Sequence, residues 1–247
     1  MAYMNRFRMT IRVLAAIGFG TSYLLPAADA PMQKAQVSKT ERLDFPAGGT
    51  LRLTRSTGVL TVEAWDQPDV EITTIKSTKA EYDTREREKA TRDLDKVRVA
   101  AERHGDELVI TTDFPRHRAY SRFDLEYRIK APATARLIAN HDVGDVNIDG
   151  LAGDIQVSLL QGEILLHLPE EGRYNINAKS HFGDVNSDFP GPEKRRWWLL
   201  GHSSVNEDSQ AAHKLNLRVE FGDIVILKTR VPVASGPPTS APRAGGS

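Results

Sequence analysis

A short phrase that begins with glycine recurs through the second half of the chain and limits what the chain can fold into. In most copies the glycine is followed by an acidic residue and then by alternating apolar and polar residues. The copies begin at Gly144, Gly153, Gly162, Gly183 and Gly222. The first three lie nine residues apart, a spacing that fits one short strand and one turn. Because such short strands cannot each bury an apolar face alone, the repeat predicts that the units stack on one another.

The residues after each glycine have the alternation of a half-buried strand. In the first copy Val146 and Ile148 lie on one face and Asn147 on the other. Glycine before the strand permits the positive φ or the close backbone approach that a tight turn needs. The pattern predicts an all-β fold, most simply a β-solenoid-like stack with two strands per coil. An antiparallel β-sandwich has similar strand spacing and is the alternative.

The region before the repeats is also rich in strand patterns, but it lacks the regular glycine. A weaker copy of the phrase begins at Gly58. Residues 80–94 are highly charged and contain neither glycine nor proline, which predicts a short surface helix. We therefore expect a linker at 31–40, an N-terminal β-rich region at 41–130 and the repeat region at 131–230.

The two ends of the chain differ in composition from the part between them. Residues 1–30 contain three arginines, then the mostly apolar run 13–25 and a small-residue ending, which are the three parts of a signal peptide. The run is shorter than the about 20 residues that span a bilayer. Pro31 hinders cleavage after Ala30, so the segment is cut at a shifted site or persists as an anchor. Residues 231–247 are rich in Pro, Gly, Ser and Ala, which predicts a disordered tail.

Composition excludes several classes of protein. The chain has no cysteine, which excludes disulfide frameworks, thiol catalysis and cysteine-ligated metals. Its 33 basic and 33 acidic side chains balance, so it lacks the basic excess that coats nucleic acid. Export without cysteine is typical of a bacterial envelope protein that needs no oxidative folding. We expect it in the periplasm or at the cell surface, touching the membrane only through an uncleaved N-terminal segment.

Catalytic motifs are absent from the sequence. It contains no G-x-S-x-G elbow, no H-E-x-x-H pair and no P-loop. We therefore expect a non-enzymatic protein with no cofactor, and a solenoid enzyme acting on polysaccharide is the lesser alternative.

Acidic residues follow the glycines at equivalent positions. In a stack, Asp145, Glu163, Asp184 and Asp223 would form a column with about 4.8 Å between neighbours. Calcium-binding β-rolls use such columns, but they carry additional glycines that free backbone carbonyls as ligands. Asp beside a turn glycine more often accepts backbone hydrogen bonds. We therefore expect turn stabilisation here and no metal.

Other polar residues stand two positions before the glycines. These are Asp142, which follows His141, and also His181 and Glu220. Imidazole and carboxylate groups are metal ligands, but solvated polar residues at turns are far commoner than ligands. We expect no metal site from them either.

Aromatic residues occur at two places that suggest contacts. Phe182 and Phe221 directly precede their glycines, which predicts core packing or stacking between repeats. The segment 194–198 combines basic and aromatic side chains, which can bind a sugar, an anionic polymer or a membrane surface. A tryptophan pair with one ring facing the core explains that segment equally well. The candidate ligand contacts are Arg195, Arg196, Trp197 and Trp198.

Longer phrases carry a family resemblance. They are Thr57–Asp66 with Val70–Ile72, then Tyr127–Pro132 and Val143–Ile155, and last Phe182–Val185 and Phe221–Ile224. Together they resemble a bacterial envelope family of unknown function, labelled "putative adhesin", over about residues 41–228. The resemblance implies an exported β-repeat protein and supplies no catalytic residues.

The sequence therefore predicts an exported, non-enzymatic envelope protein, an adhesin-like β-repeat scaffold. The alternative is a binding module for a glycan or an anionic polymer of the envelope. Its partner would be an envelope or extracellular ligand, and exposed ends of a stack would favour self-association.

Overall fold

The computed structural model describes residues 32–114, 122–190 and 210–229, and the backbone alone of 193–195 and 202–206. The signal peptide predicted at 1–30 and the disordered tail predicted at 231–247 lie outside these ranges. From Met32 onward the chain is one compact unit.

The described residues form strands and one helix. In chain order they are β1 (Gln33–Asp44), β2 (Thr50–Ser56), β3 (Val59–Trp65), β4 (Asp69–Tyr82), α1 (Thr84–Asp95), β5 (Arg98–His104), β6 (Glu107–Asp113), β7 (Phe123–Pro132), β8 (Arg136–Val143), β9 (Val146–Asp149), β10 (Ile155–Gln161), β11 (Ile164–Pro169), β12 (Tyr174–Phe182), β13 (Val185–Ser187), β14 (Glu193–Arg195), β15 (His202–Asn206), β16 (His213–Phe221) and β17 (Ile224–Thr229).

The strands form two mixed sheets, each with parallel and antiparallel pairs. Sheet A has the order β1-β4-β7-β3-β9-β11-β17-β13, and sheet B has the order β14-β15-β12-β16-β10-β8-β2-β6-β5. Their inward faces share one apolar core. The arrangement is sandwich-like, and the all-β prediction is confirmed.

The core follows the predicted alternation of apolar and polar residues. In β11, Ile164 and Leu166 are fully buried while Leu165 between them is only partly covered. In β10, Ile155 and Val157 are buried in the same way from the opposite sheet. Each apolar residue at this spacing therefore contributes to a core that both sheets share. Its burial stabilises the fold by about 25 cal/mol for each Å² of apolar surface removed from water.

Successive copies of the glycine phrase enter opposite sheets. The strand after Gly144 is β9 in sheet A, the strand after Gly153 is β10 in sheet B, and the strand after Gly162 is β11 in sheet A. A strand of sheet B, a tight turn and a strand of sheet A thus make one repeating unit. The units are β2–β3, β8–β9, β10–β11, β12–β13 and β16–β17.

The units pair in parallel, but they do not stack in chain order. The last one, β16–β17, lies between β10–β11 and β12–β13. Strand β15 pairs antiparallel with β12 and occupies the edge that the next unit would need, so β16 pairs with the opposite edge of β12. Sheet B also ends in antiparallel strands at both edges, and sheet A does so at β1. A regular solenoid with coils in chain order is therefore not what the structure has.

The N-terminal region departs from the predicted division into parts. The segment expected to be a linker, 31–40, contributes most of β1, which pairs with β4 from Gln33 to Asp44. Backbone hydrogen bonds to β4 hold this edge strand. Many of its side chains are charged, so the sequence lacks the apolar alternation that indicates a strand. The strands of 41–130 join the same two sheets as the repeats, so the boundary at residue 130 separates no second core.

The charged segment forms the short helix that the sequence predicts near 80–94. Asp83 caps α1 by accepting hydrogen bonds from two backbone N–H groups, and Ala90 and Leu94 are its buried face. The ammonium group of Lys76 donates to the carbonyl oxygens of Leu94 and Val97, at 3.1 and 3.0 Å, where the helix ends. Within the described ranges, no helix has the length and apolarity needed to cross a membrane.

Candidate functional site

The turns that join sheet B to sheet A form one column along an edge of the molecule. From one end to the other, their glycines are Gly58, Gly144, Gly162, Gly222 and Gly183. All five have φ between 103° and 152°, a conformation that side chains rarely adopt. A Cβ added at any of the last four would lie 1.8–2.2 Å from the carbonyl oxygen of the preceding glycine. The column is therefore a rigid backbone stack that only glycine permits.

The acidic column lies beside these glycines, and its aspartates bond to neighbouring turns. Asp145 Oδ1 accepts the backbone N–H of Glu163 at 3.1 Å, and Asp223 Oδ1 accepts that of Asp184 at 2.7 Å. The sequence predicts turn stabilisation here, and the structure adds that these bonds run between units. Among the described residues no three His, Asp or Glu side chains are grouped so as to hold a metal ion.

Exposed apolar side chains concentrate along the same edge. In the described part of the chain six large apolar side chains are exposed, and five of them lie within two positions of a column glycine. We call these five the turn ridge: Val59, Val143, Leu160, Phe182 and Phe221. The remaining one is Met32. Because a local concentration of exposed apolar groups commonly marks an interaction site, the ridge is our candidate functional site.

The aromatic end of the turn ridge is ordered by stacking. The rings of Phe182 and Phe221 lie 5.0 Å apart between centroids and only 5° from parallel. The imidazole ring of His181 stacks on Phe182 at 4.6 Å, and its Nδ1 lies 3.1 Å from Glu220 Oε1. The prediction of stacking between repeats is confirmed. The prediction of core packing is wrong, because Phe182 and Phe221 are 43% and 49% exposed. Each is the last residue of its strand, at the turn and beyond the residues that point into the core.

Three members of the turn ridge, Val59, Val143 and Leu160, were not singled out by the sequence analysis. Leu160 and Val143 occupy the turn side of β10 and β8, where the alternation of the strand ends. The available signal is the doublet of Leu159 and Leu160, since strict alternation can bury only one of two adjacent residues. The structure buries Leu159 and leaves Leu160 51% exposed.

The four polar residues before the glycines do not converge. His181 and Glu220 pair on β12 and β16, whereas Asp142 on β8 is separated from them by β10. His141 is buried on the core side of the same strand.

The buried His141 forms a network with Ser56 beneath the column. Its Nε2 lies 2.8 Å from the carbonyl oxygen of Gly58, so this nitrogen donates, and its Nδ1 accepts from the Ser56 hydroxyl at 2.7 Å. A serine beside a histidine is the pairing of an activated nucleophile, but both side chains are about 98% covered here and no substrate reaches them. The pair therefore fixes the first turn of the column.

We expect this histidine to make the protein less stable in mild acid. Burial lowers the pKa of His141, against the opposing effects of the Gly58 carbonyl and the carboxylates of Asp142 and Asp145. The unfolded chain then takes up a proton below pH about 6.5 while the folded chain does not, so stability falls as the pH drops through that value. Urea unfolding at pH 7.5 and 5.5 measures the free energy of unfolding at each pH. Between the two, this free energy should fall less for His141→Asn than for the unchanged chain.

The exposed His104 provides the control for this prediction. Its ring carries 64% side-chain exposure and lies near Glu102 at the surface. Replacing it by Asn should leave the pH dependence almost as it is. If the His141→Asn variant loses as much unfolding free energy between pH 7.5 and 5.5 as the unchanged chain, His141 is not the cause of the acid sensitivity.

The ligand contacts predicted at 195–198 fall mostly outside the described residues. Arg195 ends strand β14, where its backbone is aligned with His202 of β15. Arg196, Trp197 and Trp198 lie outside the described residues. Their role in ligand binding stays a prediction.

No family model and no curated protein matches the sequence. Solved structures do. A putative cell adhesion protein from Clostridium sporogenes has a TM-score of 0.49 and 14% identity, over 78% of this chain and 100% of that one. A putative adhesin from Bacteroides fragilis has a TM-score of 0.32 and 8% identity, over 78% and 97%. A putative lipid binding protein from Parabacteroides distasonis has a TM-score of 0.22 and 9% identity, over 78% and 97%. Structures similar to this chain thus include several described as putative adhesins.

Proposed function

We propose that this chain is an exported, non-enzymatic envelope protein that acts as an adhesin-like scaffold and binds its partner through the turn ridge. Its parallel units act as the coils of a β-solenoid-like stack, and the glycine column holds their turns in line. The single observation that carries the proposal is the concentration of exposed apolar side chains on that column.

The rigidity of the column supports a binding role. Phe182 and Phe221 project from turns whose backbones are already fixed by contacts between Gly183 and Gly222. A surface that is ordered before binding loses little conformational entropy when a partner docks. Aromatic residues, phenylalanine among them, are also enriched at the centres of interfaces.

The described polar groups along this edge support a non-enzymatic role. The side chains of Asp145 and Asp223 are engaged by backbone amides. Ser56 and His141 are buried in the protein interior. Export rests on the signal-peptide pattern of residues 1–30.

The second candidate function is the binding of an envelope glycan or anionic polymer by Arg195, Arg196, Trp197 and Trp198. It rests on the basic and aromatic composition of that segment. Substitutions in the turn ridge should weaken binding if the first function is correct and should leave binding unchanged if the second is.

The test replaces both exposed rings in the full chain, as Phe182→Ser with Phe221→Ser. We expect the purified protein to bind isolated bacterial cell envelopes saturably, and the double variant to bind about tenfold more weakly or worse, because two aromatic anchors are lost. The measurement is a sedimentation isotherm with labelled protein. Urea unfolding should show a folded variant, since both side chains lie largely in solvent.

Met32→Ser is the matched control, because Met32 is also exposed, at 55%, but precedes β1 at the far edge of sheet A. It should bind as the unchanged chain does. Equal binding by the double variant, or an equal loss in the control, would reject the turn ridge as the contact surface.

A further inference from the structure

The outward face of sheet B carries three cations near the end of the stack that holds β12 and β16. We call Lys179, Lys214 and Arg218 the basic face. All three are exposed, and none of them forms an ion pair within the described part of the chain. Most other exposed basic residues of the strands have an acidic neighbour, as Arg42 has in Glu71. The basic face therefore differs from most of the described strand surface, because three neighbouring cations there have no acidic partner.

Two of these cations are directly opposite each other. The register of β12 and β16 aligns Lys179 with Arg218, on strands about 4.8 Å apart. Like charges at such positions destabilise a sheet. Neither side chain is needed by the core, because both point to solvent. An anion that lies between them offsets this repulsion.

On β10, β12 and β16, the described neighbours of the two cations in the same row and in the row before it are neutral and polar. The same row continues to Ser158 on β10, and the next row aligns Asn177, Asn216 and Gln156. On the other side, the backbone register continues from Lys179 through Ser203 to Lys194. Of these residues, Gln156 and Ser158 offer an amide and a hydroxyl group beside the charge, and such groups donate to and accept from sugar hydroxyls.

Among the described residues, the acidic ones near the basic face lie at its two limits and are already engaged. Glu220, beside the turn, is paired with His181 at 3.1 Å. Asp154, at the opposite limit, accepts the backbone N–H of Lys214 at 2.8 Å. Neither carboxylate reaches the ammonium or guanidinium groups within ion-pair distance. The middle of the face is therefore positive although the whole chain has balanced charge.

We propose that the basic face binds an anionic polysaccharide. Aligned cations match the acid groups that recur along such a polymer, and the adjacent side chains of Gln156 and Ser158 match its hydroxyls. Single-stranded nucleic acid is the poorer match, because its bases stack on aromatic rings and none of the described residues in the middle of this face is aromatic. This site is distinct from the turn ridge, and the inference goes beyond the proposed function.

The test measures binding of the full chain to immobilised polygalacturonate and dextran sulfate, with neutral dextran as the reference polymer. We expect binding to both anionic polymers and none to dextran. The variant Lys179→Gln with Arg218→Gln should bind about tenfold more weakly, and the slope of log K against log salt should become shallower by about one to two. Its melting temperature should equal or exceed that of the unchanged chain, because a like-charge contact is removed.

The matched control removes one lysine and one arginine elsewhere, as Lys89→Gln with Arg92→Gln on the exposed side of α1. It should keep full binding. Equal binding to dextran, full binding by the Lys179 and Arg218 variant, or an equal loss in the control would overturn the proposal. So would binding confined to single-stranded DNA or to phosphatidylglycerol vesicles. The turn-ridge variant keeps its polymer binding if the two sites are separate, so failure of one proposal is distinguishable from failure of the other.

Discussion

Replacing Gly222 by alanine is expected to lower the free energy of unfolding by about 4 kcal/mol, the upper end of what single substitutions do. The residue has φ of 136°, and an added Cβ would lie 1.8 Å from the carbonyl oxygen of Gly162. The obstructing atom belongs to the backbone of a central unit, so no side-chain rotation relieves the clash. The turn must move, and with it the parallel pairing of β17 with both of its neighbours.

Gly105 separates this clash from the ordinary cost of a positive φ. Its φ is 65°, and an added Cβ would have no atom within 4 Å. Gly105→Ala should therefore cost about 1 kcal/mol, the price of a left-handed residue alone. Urea unfolding of the two variants measures the difference. Equal losses at the two positions would contradict the view that the column is a close-packed backbone stack.

The parts of the fold that depend on local pattern could be predicted from the sequence. The alternation around Ile164 and Leu166 specifies an inward face, and the glycine before it specifies a tight turn. The charged helix at Thr84–Asp95 has a capping aspartate and two buried residues at helical spacing. In each case the signal lies within a few residues of the structure that it determines.

The order of the units could not be predicted in the same way. Which strand lies beside β12 depends on pairings between residues that are about forty positions apart, such as Phe182 and Phe221. The nine-residue phrase fits every unit equally well, so it predicts stacking but no order. The intervening strands β14 and β15 decide the order, and their short segment carries no glycine repeat.

The candidate surfaces depend on that order as well. Phe182 is a single exposed ring until β16–β17 lies beside its unit and brings Phe221 onto it. Lys179 faces an uncompensated cation for the same reason. The sequence shows each residue separately, but the juxtaposition is a property of the fold. Both proposed sites therefore require β16–β17 to lie between β10–β11 and β12–β13.

Engineered disulfides test that placement directly, because the chain has no cysteine of its own. On the outward face of sheet B, Gln156 is aligned with Asn216, and Asn216 with Asn177. Aligned positions fall within the about 4.4–6.8 Å between Cα atoms that a disulfide spans. Gln156 and Asn177 lie two strands apart, about 9.6 Å, which is too far.

The decisive measurement is the fraction of free thiol after oxidation of two double variants, with the monomer isolated before thiols are counted. Gln156→Cys with Asn216→Cys should close an internal disulfide nearly completely. Gln156→Cys with Asn177→Cys should keep both thiols. A stack in chain order places β12 directly beside β10, so Gln156→Cys with Asn177→Cys would then form the disulfide. That result, with free thiols in Gln156→Cys with Asn216→Cys, would contradict the arrangement on which both binding surfaces depend.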